Sequence, residues 1–333
     1  MPDIKKFMDK SLSAVRSGAK SFNETVAPKI GKAVNDAAES AGKAIADGSD
    51  KIASAGKNAK DTVMNQLDVN HDGNVDIVDI ITLGLKTPGI KVNREQFLKK
   101  ELTIHYDEET VKKAIAETPV AAKIPAEDID KIADAVIQYE RYFVSGISTA
   151  LGAPGGAGMV ATIPADIIQY YGYMLRAAQK LMYLYGFPQI VSEDDETQID
   201  SATMNLLVVA MGVMFGVAGA NNAVKAMAKA LGNGVEKQLM RRALTKGTIY
   251  PIVKSIAKWF GVRMTKEVFS GFFKKAIPVV GGVIGGGITY VSFKPCCERL
   301  KESLKDTKLS NANHEETKEE SAIYEAIVQE IEE

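Results

Sequence analysis

Asp, Asn and Gly residues between positions 68 and 79 are spaced in a way that suits a hard metal cation. Calcium takes six to eight oxygen ligands at about 2.3–2.6 Å, and a short loop can surround it only by turning sharply near its sixth position. Gly73 occupies that position and permits the turn because it has no Cβ. The sequence therefore predicts one calcium site with these ligands: the side chains of Asp68, Asn70 and Asp72, the backbone carbonyl of Asn74, Asp76 directly or through water, and Asp79 closing the loop.

This loop resembles those of dockerin modules and prokaryotic EF-hands, in which Asp closes the site. The match to D-x-[DN]-x-[DN]-G is complete, with Asp instead of the usual Glu at position 12. The alternative is an acidic surface turn, because Asn, Asp and Gly favour turns in any case. Dockerins and most EF-hands pair two loops through position 8, and the sequence has no second loop of this pattern. Val75 therefore needs a partner elsewhere in the protein or in another copy of it.

A second polar constellation follows Pro164, which suits the first turn of a helix. Asp166, Tyr170 and Tyr173 lie at i, i+4 and i+7, so a helix would place them on one face together with Gln169. A carboxylate beside phenols could form a polar pocket for an enzyme that acts on lipid or on another membrane-linked substrate. The alternative is charge compensation at a helix start plus aromatic packing. Familiar catalytic motifs are absent from the sequence, which favours a protein without catalytic activity.

Composition limits the function classes that fit this chain. Its 333 residues are 46% hydrophobic and 25% charged, as in globular proteins, and its formal net charge is −1. That balance, with no aromatic stacking platform among the basic residues, argues against nucleic-acid binding. The two cysteines are adjacent, which predicts no disulfide framework and a reducing compartment. The N-terminus has no apolar secretory signal, so we expect a cytoplasmic protein rather than an extracellular dockerin.

Helical periodicity dominates the sequence, and no β pattern of any length occurs, so we expect an all-α chain. Residues 1–67 form a predicted extended amphipathic tail, rich in Ala and Lys, whose stripe of alanines buries too little area to fold alone. Cys296 and Cys297 are expected near a helix start. Beyond the tail, helices are predicted at residues 77–85, 94–105, 108–116 and 128–147.

Three uncharged stretches, at residues 142–165, 201–220 and 276–293, approach the length that spans a bilayer. Their Gly residues would let helices approach closely, in a membrane or in a tightly packed core. Residues 221–275 contain twelve Lys or Arg and two acidic residues, with Trp259 and Phe260 among them. This pattern favours contact with an anionic lipid surface, with both rings at the interface. A soluble bundle with solvated basic faces is the alternative.

Several segments in order resemble the EcsC family, which is named after a bacterial protein encoded beside an ABC transporter. They are residues 94–102, 152–156, 163–167, 184–187 and 277–287. The resemblance covers about residues 90–300 and implies an α-helical bacterial domain that is cytoplasmic, lies close to the membrane and has no settled biochemical activity. It implies nothing about calcium, because the calcium loop lies outside it.

The sequence thus predicts a tail at 1–67, a calcium loop and helix at 68–88, an EcsC-like domain at 89–300 and an acidic tail at 301–333. The favoured function is a membrane-associated accessory or regulatory protein whose partner is a membrane surface or a membrane protein. The alternatives are an enzyme that uses Asp166 and a dockerin-like scaffold module. The sequence is compatible with a homo-oligomer.

Overall fold

The computed structural model of the chain describes residues 67–69, 73, 75–151, 158–191, 199–235, 241–263, 281–311 and 313–332, and at residues 146–151, 158–167, 241, 261–263, 281–291 and 331–332 only the backbone. In these ranges the chain forms eleven helices and no strand, so the predicted all-α class is confirmed for the described part. The predicted N-terminal tail, apart from Leu67, lies outside these ranges.

The helices are α1 (Ile77–Lys86), α2 (Arg94–Leu102), α3 (Glu108–Ala116), α4 (Ala126–Leu151), α5 (Gly158–Leu184), α6 (Ser201–Met214), α7 (Ala220–Gly232), α8 (Arg241–Thr245), α9 (Tyr250–Arg263), α10 (Gly281–Lys305) and α11 (Lys318–Glu332). The helices predicted at 77–85, 108–116 and 128–147 are confirmed within a few residues. The helix predicted over 94–105 ends earlier, at Leu102.

Short polar side chains start several of these helices. The side-chain Oδ1 of Asn93 accepts from the Gln96 N–H at the start of α2, and Oδ1 of Asp107 accepts from the Thr110 N–H at the start of α3. Asp200 accepts from two backbone N–H groups at the start of α6. Each cap satisfies donors that a helix start otherwise leaves without partners, which is why these helices begin where they do.

Helix α6 lies at the centre of the fold. Twelve of its fourteen residues are buried, and it contacts α1, α5, α7, α8, α9 and α10. At a rise of 1.5 Å per residue its length is about 21 Å, less than the ~30 Å of a bilayer core. Among the described helices, none combines the length and the apolar character that a membrane span needs.

Helices α4, α5 and α10 pack against one another beside α6. Helix α10 continues through Pro295, although proline removes a hydrogen-bond donor and disturbs the preceding turn. Phe293, Cys297 and Leu300 are fully buried around that proline, and their packing outweighs the local cost. The prediction that the two cysteines lie near a helix start is therefore wrong. They lie in the second half of α10, and both are free and buried.

Helix α1 is attached to α5 through a close glycine contact. A Cβ added to Gly84 would lie 3.2 Å from the Cα of Gly172 and 3.1 Å from a side-chain carbon of Leu175. The absence of both side chains lets the two backbones approach, and Ile77, Ile80 and Ile81 are fully buried beside the contact. The helix that follows the predicted calcium loop therefore belongs to the main core.

Helix α11, within the acidic segment 301–333, is folded against α7 and α8. Ile327 is fully buried in this contact, and the hydroxyl of Tyr324 accepts from the Asn233 side chain at 2.8 Å. The ammonium group of Lys229 lies 3.8 Å from the centre of the Tyr324 ring and 2.6 Å from a carboxylate oxygen of Glu316. The last helix thus covers part of the basic region.

Candidate functional site

The predicted calcium loop turns at Gly73. Its backbone has φ of +83°, a left-handed conformation that glycine adopts without strain. The Gly73 N–H donates to Oδ2 of Asp68 at 2.8 Å, so the first carboxylate of the loop folds back over the turn. The predicted ligands Asn70, Asp72 and Asn74 lie outside the described residues.

Asp76 and Asp79 form the end of the loop and the start of α1. Oδ1 of Asp76 accepts from the N–H groups of Val78 and Asp79, and Oδ2 of Asp79 accepts from the Asp76 N–H at 3.0 Å. This reciprocal pair is a capping box, which satisfies the helix start. Asp79 is 1% exposed, and its Oδ1 accepts from the Val69 N–H at 3.0 Å. Asp79 therefore joins the two ends of the loop.

Three of the six predicted ligands, Asp68, Asp76 and Asp79, are described. The described residues contain no group of three His, Cys, Asp or Glu side chains arranged to hold a metal ion. The donors present are nevertheless hard carboxylate oxygens, the type that calcium prefers. Val75, at position 8, is 2% exposed and packs in the main hydrophobic core. Its partner is therefore the rest of this chain.

The second predicted site is described only in part. The side chain of Asp166 lies outside the described residues, and the two tyrosines face different helices. Tyr170 forms a 3.0 Å hydrogen bond with Ser292 of α10, whereas the ring of Tyr173 packs 5.0 Å from that of Phe143 in α4. Burial raises the pKa of Tyr170, and burial raises that of Tyr173 to about 12. Both phenols therefore stay protonated at neutral pH, and the enzyme hypothesis stays a prediction.

Gln169, which the sequence placed beside these tyrosines, is 2% exposed. Neither its amide oxygen nor its amide nitrogen has a hydrogen-bond partner among the described residues. A buried amide without partners costs free energy, so Gln169 is an unsatisfied polar group in the packing of α5.

A buried charge cluster of Glu140, Arg176 and Lys180 joins α4 to α5. Oε1 of Glu140 accepts from Nε of Arg176 at 3.0 Å and from Nζ of Lys180 at 2.6 Å. Glu140 is 0% exposed, and its Oε2 is buried with no hydrogen-bond partner in the described part of the chain. Burial alone would raise the pKa of Glu140, but the two cations hold it below its usual value.

The cations of this cluster have further contacts. Arg176 donates from Nη1 to the carbonyl of Gly89 at 3.2 Å, and its guanidinium lies 5.0 Å from the centre of the Phe143 ring. The ammonium of Lys180 lies 5.5 Å from the rings of Phe97 and Tyr139. The cluster thus connects α4 and α5 to the turn after α1 and to α2.

This cluster is not among the sites predicted from the sequence, although the sequence carries one signal for it. Glu140 follows Val136 and Ile137 by four and three residues and precedes Phe143 and Val144 by three and four. It therefore interrupts the apolar face of α4 with a charge, and such a residue needs a partner when it is buried. The partners could not be identified from α4 alone.

A second buried polar group holds α11 in place. The side chain of His314 is 0% exposed, with Nδ1 at 2.8 Å from Asp306 and Nε2 at 2.8 Å from Glu320. Lys225 pairs with the same Asp306, and this ion pair is the main reason that the pKa of Asp306 lies below its usual value. These contacts join α7, the end of α10 and the start of α11.

Comparison of the chain with family models, with curated proteins and with solved structures finds no match. The resemblance to the EcsC family, and the membrane association that it implies, therefore stay predictions.

Proposed function

We propose that residues 68–79 bind one calcium ion in a membrane-associated accessory protein, and that calcium fixes the loop ahead of α1. The main support is the hydrogen bond from Gly73 to Asp68, at a glycine whose φ is +83°. A calcium loop of this pattern needs such a turn at position 6, with the first carboxylate folded over it. The hydrogen bond from the Val69 N–H to Asp79 adds a second support, because it joins the last ligand position to the residue that follows the first ligand.

Calcium would act here by offsetting charge. Four carboxylates within twelve residues repel one another, and an ion with two positive charges removes that repulsion. Because α1 is packed on α5 through Gly84 and Gly172, an ordered loop would be fixed relative to the main core. A single loop without a second one beside it should bind more weakly than paired sensor sites, whose dissociation constants are roughly 10⁻⁷–10⁻⁵ M.

Calorimetry with calcium tests this proposal on the wild type and on Asp68→Asn. The amide of Asn still accepts from Gly73, so the turn is kept while one ligand charge is lost. We expect saturable binding of one ion to the wild type and at least tenfold weaker binding to the variant. Asp107→Asn, at the exposed start of α3, is the matched control and should bind like the wild type. Equal affinity in all three proteins would refute the proposal.

Membrane association is the second part of the proposal, supported by exposed lysines on α9. Lys254 and Lys258 are exposed, with no acidic residue in the described part of their helix. Phe260 is 1% exposed and belongs to the core, so the expectation that both aromatic residues face an interface is wrong for it. Attraction to an anionic surface is worth about 1 kcal/mol per well-placed lysine.

Flotation with vesicles that contain an anionic lipid tests the membrane part separately. We expect the wild type to float with anionic vesicles and to stay behind with neutral ones. Lys254→Gln/Lys258→Gln should float less, whereas Lys112→Gln, an exposed lysine of α3, should behave like the wild type. Flotation that does not depend on vesicle charge would contradict this part without bearing on calcium.

A further inference from the structure

A cavity of about 1010 Å³ lies between α1, α6, α8 and the start of α9. Its volume is at the upper end of the roughly 300–1,000 Å³ typical of small-molecule sites. Val69 and Val78, which flank the calcium loop, form part of its lining, and the turn at Pro88 and Gly89 forms another part.

The described residues that line the cavity carry charge of one sign. Lys86, Lys91 and Lys246 line it, and no Asp or Glu is among its described lining residues. Lys86 ends α1 and Lys246 follows α8, so two separate parts of the chain bring these cations to one cavity. Both are exposed, and neither forms an ion pair with a carboxylate of the described residues. Such lysines can offer their N–H donors to an anion.

The rest of the lining is mixed in a way that suits an amphiphile. Apolar side chains contribute at Leu85, Ile199 and Met204, and Leu85 and Met204 are buried. Ser201 and Tyr250, which carry hydroxyl groups, are also among the lining residues. An inorganic anion would leave the apolar lining in contact with water, and a neutral apolar molecule would leave the ammonium groups of Lys86 and Lys246 unused.

We propose that this cavity binds an amphiphilic anion, namely a phosphate or carboxylate group that carries one hydrocarbon chain. The anionic group lies between Lys86 and Lys246, and the chain lies against the apolar lining residues. Such a ligand reaches the cavity either as a free molecule or as a lipid taken from a membrane, because the recognised chemistry is the same.

The test is calorimetry on the full-length protein with dodecyl phosphate below its critical micelle concentration. The buffer contains EDTA, so the result does not depend on calcium or on vesicle attachment. We expect saturable binding of one molecule per chain. Lys86→Gln/Lys246→Gln should weaken it at least tenfold, which corresponds to about 1.4 kcal/mol. Lys258→Gln is the matched control, since this exposed lysine lies on α9 outside the cavity lining, and it should bind like the wild type.

Three further ligands separate the proposal from simpler explanations. Inorganic phosphate should bind at least tenfold more weakly than dodecyl phosphate, because it leaves the apolar lining unused. Octyl glucoside, a neutral amphiphile, should not displace dodecyl phosphate. Extraction of a fluorescent single-chain phospholipid from vesicles identifies the membrane as the source, and binding without extraction identifies the free molecule. Both of those results support the proposal.

Four results would overturn the proposal. The first is no saturable binding of dodecyl phosphate, and the second is binding that Lys86→Gln/Lys246→Gln weakens no more than Lys258→Gln does. The third is inorganic phosphate that binds as tightly as dodecyl phosphate, and the fourth is displacement of dodecyl phosphate by octyl glucoside. The calcium and flotation experiments stay interpretable in each case, because they use other residues and other ligands.

Discussion

Removal of the charge of Glu140 should strongly destabilise the protein. Glu140→Gln keeps the volume of the side chain but leaves Arg176 and Lys180 without their carboxylate. The three side chains are 0%, 13% and 12% exposed, so water can screen the remaining cations only slightly. Loss of one partner of a buried ion pair costs about 3–5 kcal/mol, and we expect a decrease of that size in the free energy of unfolding.

The measurement is urea denaturation of the wild type and the variant, followed by circular dichroism. Glu127→Gln, which removes an exposed glutamate from the same helix, is the control and should change stability by less than about 0.5 kcal/mol. A triple variant with methionine at 140, 176 and 180 should recover most of the lost stability, because it leaves no buried charge without a partner. A loss below about 1 kcal/mol for Glu140→Gln would refute this reasoning.

The same experiment has a definite pH dependence. Glu140 has an ordinary pKa of 4.5 in the unfolded chain and a lower one in the folded chain, where Arg176 and Lys180 favour the carboxylate. Between those two values the unfolded chain binds more protons, so stability falls as the pH falls. The difference between wild type and Glu140→Gln should therefore be constant above pH 4.5 and shrink below it. A difference that grows in acid would have the wrong sign.

Three other substitutions or treatments give separate tests. Gly84→Ala should lower the free energy of unfolding, measured in urea, by about 1–3 kcal/mol because the added Cβ meets the backbone of α5. Gly232→Ala should change it little, because no atom lies closer than 3.6 Å to the Cβ that it adds. His314→Ala should lower it by about 1.5–3 kcal/mol and speed proteolysis of α11, while Glu315→Ala, at its exposed neighbour, should do neither. Burial raises the pKa of Cys297, so its thiol should react with a maleimide far more slowly in the folded protein than in urea.

Each of these tests has an outcome that contradicts it. A stable Gly84→Ala protein would mean that α1 and α5 can separate by a few tenths of an ångström without loss. Unchanged proteolysis of the His314 variant would mean that the apolar contact at Ile327 holds α11 without the histidine. Rapid reaction of both thiols at neutral pH without urea would mean that α10 opens locally.

The sequence is sufficient to predict the local elements. Helical periodicity predicts the helices Ile77–Lys86 and Glu108–Ala116, and calcium-loop spacing predicts the turn at Gly73. These features depend on residues close together in the chain, which makes them accessible to pattern analysis. The uncharged stretch at residues 201–220 contains α6, but its pattern could not separate a membrane span from a central core helix.

Contacts between distant segments could not be predicted in this way. Glu140 and Arg176 are 36 positions apart and meet only because α4 packs on α5. His314 lies in a segment that the sequence presented as an acidic tail, and its partners come from α10 and α11. Cys296 and Cys297 were expected near a helix start, whereas burial of the residues around Pro295 lets α10 continue through them. In each case tertiary packing outweighs the local signal.

The helix at the C-terminus has a practical consequence for work with shortened chains. A cut after residue 300, where the charge pattern changes, would fall inside α10 and remove Asp306, His314 and all of α11. It would uncover the apolar residues under Ile327 and leave Lys225 and Lys229 without their carboxylates. Such a fragment would present extra apolar and positive surface, so its adhesion to vesicles or nucleic acid would be a product of the truncation. Tags and cleavage sites therefore belong after residue 332.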